Sequence, residues 1–220
     1  MQRRSAGALL AAAAVIFFLA EFVAAAAWTD PPYSYTYHFI SNLGVQGPSE
    51  LMGQYMYSPL AWVMNSGFFL FGFPILAGVA LLPGVRGWRR AVVLATAVVL
   101  AGGGVMLALF PGSGESMTDG TGDFHLLGAI TGFVGGNILA ILLGSMHRRT
   151  ALPSPLGKAL IASGVIGLLA MAAYFADLIS GANVLVGLIE RGIIYPFLIG
   201  FICAGAALVA RPALRAAQVS

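Results

Sequence analysis

The sequence predicts an all-α integral membrane bundle of six transmembrane helices with both termini in the cytoplasm. Three observations carry that prediction. Of 220 residues, 59% are hydrophobic and 9% charged, whereas charged residues make up about a quarter of an ordinary soluble domain. Six apolar runs, at about 6–28, 59–82, 91–110, 124–146, 159–179 and 188–210, are each close to the ~20 residues needed to cross a bilayer. Under that count, Arg3, Arg4, Arg86, Arg89, Arg90, Arg148, Arg149, Lys158, Arg211 and Arg215 share one side, and Arg191 stands alone on the other. The excess of basic residues marks the cytoplasmic face. One six-helix domain over 1–220 accounts for nearly the whole chain.

The same segregation disposes of a nucleic-acid reading. A net charge of +3 spread over short turns orients a membrane protein and makes no nucleic-acid groove. Arg supplies ten of the eleven basic residues, and Ala and Gly are abundant, which points to a GC-rich bacterial genome and a plasma-membrane setting. Cys203 is the single cysteine, so no internal disulfide exists.

In chain order, the first run follows a basic head and ends in small residues at Ala24–Ala27, as a cleaved signal peptide does. Its length of about 23 residues and Glu21 within it favour a retained helix. Residues 29–58 form the longest polar connection. Tyr33 to Phe39 alternates aromatic and polar residues, which predicts an extended segment at the interface. Ser41-Asn42 reads as a cap or turn, and the loop as a re-entrant segment or cover. Pro74 predicts a kink in the second run. Gly102-Gly103-Gly104 predicts close packing or unwinding in the third.

The fourth run opens with Gly122-Asp123-Phe124-His125 and continues with Gly128, Gly132 and Gly136. Four-residue spacing puts these glycines on one face, a small-residue seam for helix packing. His125 lies on that stripe and is expected to point into the bundle.

Polar chemistry gathers on the side away from the basic turns. All eight acidic residues lie there, with His38, His125 and Arg191. Glu21 sits about 10 Å below the outer end of the first run, where a carboxylate needs a partner or water. An outward-opening polar pocket roofed by 29–58 follows, with Glu21, His38, Ser41, Asn42, Asp123, His125, Asp177, Glu190 and Arg191 as candidates. Several of these, Arg191 and His125 among them, are expected to converge in one site. Arg191 has Asp177, Asp123 or Glu21 to pair with, or else an anionic head group to hold by its guanidinium fork. Glu190, turned about 100° from it, is left to a histidine or backbone donors.

The same residues offer two sharper chemistries. A zinc site from His38, His125 and Asp177 or Glu190 has suitable ligand types, but His147 lies in a basic turn, so at most two of the three histidines meet. No cofactor is otherwise called for. Ser41 three residues after His38 suggests a nucleophile and base, though spacing alone says little.

The segment Tyr37-His38-Phe39-Ile40-Ser41-Asn42-Leu43-Gly44 resembles the opening motif of a bacterial and archaeal membrane family catalogued as domain of unknown function 998. Phe110-Pro111 with Gly122…His125, and Gly187-Leu188-Ile189-Glu190-Arg191, are similar to its other two signatures. The resemblance spans about Trp28 to Ala210 and implies a six-pass protein; it brings no activity. The leading functional reading is binding or modification of a membrane lipid or small amphiphile at the outer leaflet. A transporter or channel is the alternative, kept alive by Asn65, Asn137 and the glycine triplet, and a non-catalytic scaffold is third.

Overall fold

A computed structural model describes residues 1–210. Arg211 and Arg215, counted in the charge segregation, lie outside the described residues. Six helices are long and apolar enough to cross a membrane: α1 (Gln2–Ala27), α2 (Ala61–Ala80), α3 (Trp88–Leu109), α5 (Gly122–Ser145), α6 (Ser154–Ser180) and α7 (Val186–Ala210). A single turn, α4 (Ser116–Asp119), precedes α5. The helices match the six predicted runs, and the glycine triplet leaves α3 continuous.

Short connections make sequence neighbours antiparallel partners. Each spanning helix packs on the next in the chain, α7 returns to α1, and α5 also reaches across to α7. The result is a closed ring. Glycines set its tightest seams: a Cβ on Gly7 would strike the Gly205 carbonyl between α1 and α7, and one on Gly103 would strike the α5 backbone at Gly128 and Gly132.

The α5 stripe packs differently from the sequence expectation. Gly128 faces α3, Gly136 receives the Phe197 ring of α7, and a Cβ on Gly132 would meet open space. Each four-residue step rotates by about 40°, so the stripe winds from one neighbour to another past a gap. Only at its two ends would an added Cβ meet a neighbouring helix.

One pole carries the short connections 81–87 and 146–153 with the basic residues. The other carries 28–60, 110–121 and 181–185. The long connection at this second pole departs from the extended segment predicted for it. The His38 N–H donates to the Ser34 carbonyl at 2.8 Å, and the Ser34 N–H donates to His38 Nδ1 at 2.9 Å. These two bonds close a turn, so aromatic alternation there reports ring packing, not strand. Ser41–Gly44 is a 3-10 turn. Then comes an antiparallel hairpin of β1 (Ser49–Leu51) and β2 (Gln54–Met56). Its two-residue turn, Met52-Gly53, has positive φ at both positions, 52° and 75°, as a type I′ turn requires.

Candidate functional site

Polar groups at the loop pole sort into two places, divided by the adjacent residues Glu190 and Arg191. Neighbours on a helix point about 100° apart. Arg191 turns toward α1, and Glu190 toward α5 and α6.

Arg191 is the centre of a buried knot. Its Nε donates to Glu21 Oε1 at 3.1 Å, and Nη2 stands 2.9 Å from the same oxygen. Nη1 donates to the carbonyls of Tyr35 at 2.8 Å, Gly187 at 2.9 Å and His38 at 3.2 Å. Nη2 also donates to the Tyr33 hydroxyl at 2.5 Å, which itself donates to the Phe39 carbonyl at 3.0 Å. The Tyr195 hydroxyl adds a third donor to Glu21 Oε1 at 2.8 Å. A guanidinium has five N–H groups, and five acceptors surround this one in six contacts. No donor remains for an anionic head group, which sets aside the docking role considered for Arg191. Asp123 and Asp177 are not its partners.

His38 is a strut of this knot. Its ring stacks against Trp28 at 5.1 Å and Tyr33 at 5.3 Å, and Nδ1 accepts from Ser34, so the neutral tautomer carries its proton on Nε2. Burial, seconded by the Arg191 charge, lowers its pKa. With Nδ1 committed and the ring clamped, His38 is not a base for Ser41. Among the described residues, no three His, Cys, Asp or Glu side chains gather to hold a metal.

The second place is a cavity of about 230 Å³ between the 29–58 connection, α5, α6 and α7. Apolar side chains form its body, including Phe39, Leu126, Phe133, Tyr174 and Phe175, and Ser41, Asn42, Asp123, His125 and Glu190 supply its polar lining. Met52 at the hairpin tip and Leu126 on α5 both line it and are half exposed, at 54% and 49%. The mouth lies between them. Glu190 Oε2 accepts from the Ile40 N–H at 2.5 Å, which fixes the loop over the cavity. His125 Nδ1 stands 2.8 Å from the Phe110 carbonyl, so that nitrogen carries the proton and Nε2 keeps a free lone pair. Asn42 donates its amide to Gln54 Oε1 at 2.6 Å.

Of the nine candidates, five line the cavity, three build the knot, and Asp177 does neither. Its Oδ1 accepts from the Val184 N–H at 3.1 Å in the α6–α7 turn. Arg191 and His125 therefore do not share one site. Sequence reasoning missed Tyr33, Tyr35 and Tyr195 in the knot, and Phe133 and Tyr174 in the cavity. Tyr195 lies one turn beyond Arg191, on the same face, and that signal was available.

The fold and this pole define a six-span integral membrane protein with a saturated ionic knot beside a half-polar cavity. The chain belongs to the family described as Protein of unknown function (DUF998), whose model matches residues 11–207, from within α1 into α7. No curated protein and no solved structure matches it. The three stretches that resemble the family's motifs meet here: Phe39, Ser41 and Asn42, then Gly122 and His125, then Glu190 all line the cavity.

Proposed function

We propose that the protein binds a lipid or other small amphiphile in the cavity, from the outer leaflet of the plasma membrane, with both termini in the cytoplasm. The observation that carries the reading is the division of the cavity into an apolar body and a polar end, with a mouth at the protein surface. That is the shape of an amphiphile's complement, and binding sites of this kind combine an apolar lining with a few placed polar groups. The orientation rests on the eight basic residues from Arg3 to Lys158 at the opposite pole. A transport role finds less support. The mid-span Asn137 spends its amide on the Phe133 and Ile193 carbonyls, at 2.9 and 3.1 Å, tying α5 to α7 and extending no polar path.

Native mass spectrometry of protein purified from its membranes tests the reading. The wild type should retain a lipid, and Leu126→Trp, which plugs the mouth, should lose it while melting normally. Equal retention by both would remove the cavity from the account.

A further inference from the structure

Below the cavity lies a second, smaller void of about 30 Å³, lined by aromatic and aliphatic side chains of α1, α2, α3, α5 and α7. Ala129 and Phe133 line both spaces, so a single ring of α5 stands between them. Gly132 also faces the inner void, and a Cβ there would meet no atom within 4 Å. Helix interiors in a membrane protein gain their stability from packing, since lipid is as apolar as any side chain. An unfilled space at the middle of the ring, with a glycine turned toward it, forfeits such contacts.

The polar end has its own selectivity. Among the described residues no Arg or Lys lines the cavity, and the neighbouring Arg191 is saturated by Glu21 and its carbonyls. The polar lining is the carboxyl groups of Asp123 and Glu190, the His125 Nε2 lone pair and the Asn42 amide oxygen, with the Ser41 and Tyr174 hydroxyls able to serve either way. A phosphate or carboxylate head meets like charge and finds few donors. A head rich in O–H or N–H groups finds acceptors.

From the deepening of the same site we infer that its ligand is a single-chain amphiphile with a non-anionic, hydrogen-bond-donating head, and that its tail passes Phe133 into the inner void. This rests on the cavity reading above. Ten residues of α5 separate Asp123 at the rim from Phe133 at the passage, a depth of about 15 Å at 1.5 Å per residue. A short tail ends at Phe133; a long one needs the space beside Gly132.

Native mass spectrometry of the detergent-purified full chain, incubated with defined amphiphiles, tests both halves. Monolauroylglycerol and dodecylamine should be retained and lauric acid should not; retention of lauric acid equal to that of monolauroylglycerol overturns the head assignment. In the chain-length arm, Gly132→Val should lose monolauroylglycerol yet keep decanoylglycerol, and its hold on the short chain reports an intact fold. Phe133→Leu, which widens the passage, should shift retention toward longer chains, so the test survives if one variant fails to fold. Chain-length profiles identical to wild type in the folded variants overturn the tail path, while loss of every amphiphile in Leu126→Trp would leave the cavity itself standing. Retention of none by the wild type overturns both.

Discussion

The knot and the cavity stand side by side at one pole, built from the same loop and the same turn of α7, yet they are opposites. In the knot, the Arg191 N–H groups are all spoken for and the guanidinium is 5% exposed. In the cavity, acceptors outnumber donors and a space remains. A buried charge with every partner in place fixes structure; polar groups around a void are fit to bind. Intramembrane ionisable residues are commonly read as functional sites, and in the pair Glu190-Arg191 one of two adjacent charges is locked in a saturated knot while the other lines a cavity.

The largest expected effect comes from breaking the knot. Arg191→Ala leaves Glu21 buried without its cation and should cost about 3–5 kcal/mol in detergent unfolding, as removal of one partner of a buried pair does. Replacing both, Glu21→Leu with Arg191→Met, should recover much of that loss, because neither desolvated charge then remains. A double variant no better than Arg191→Ala would mean that the guanidinium's carbonyl contacts, not the ion pair, hold the loop.

Next in size is Tyr195→Phe, which deletes one hydrogen bond to a buried carboxylate and should cost about 2 kcal/mol without altering lipid retention. A change in retention at unchanged stability would couple the two regions.

Acid should loosen the knot before the cavity. The folded protein holds His38 neutral, with a pKa below the ordinary imidazole value near ~6.5. The unfolded chain therefore binds more protons between those two values, and stability falls as pH drops through that window. Melting followed from pH 8 to pH 5 should show this decline, and His38→Gln should flatten it. An unchanged slope in the variant would assign the acid sensitivity elsewhere.

The smallest effect belongs to the cover. Gln54→Ala removes the acceptor of the Asn42 amide and the donor to the Tyr37 carbonyl, costing about 1 kcal/mol. It should speed lipid exchange more than it lowers the melting point, since the hairpin tip borders the mouth.

Much of this architecture is legible in the residues. Runs of apolar residues give the spans, and turns rich in arginine give their alternation, because a bilayer leaves the backbone few alternatives. The cluster at one pole follows from the same count. Which polar residue meets which does not, for Glu21 had His38, His125 and Arg191 to choose among, and pairing depends on the rotation of α1 against α7. The hairpin escaped notice because its turn is Met52-Gly53, lacking the Asn or Asp that usually precedes glycine in such a turn. The apolar body of the cavity escaped because an aromatic lining, Phe133 and Tyr174, reads in sequence like any buried face. Gly132 belongs to a packing stripe by spacing, and only the drift of α5 past α3 exposes it to a void.

The most direct measurement is photo-cross-linking with a diazirine-tailed monoacylglycerol, mapped by peptide mass spectrometry. Adducts should fall on the cavity walls, between Leu126 and Phe133 of α5 and between Tyr174 and Leu178 of α6, and Leu126→Trp should abolish them. Adducts confined to residues on the outside of the ring, such as Phe69 and Leu169, and unchanged in that variant, would contradict the account.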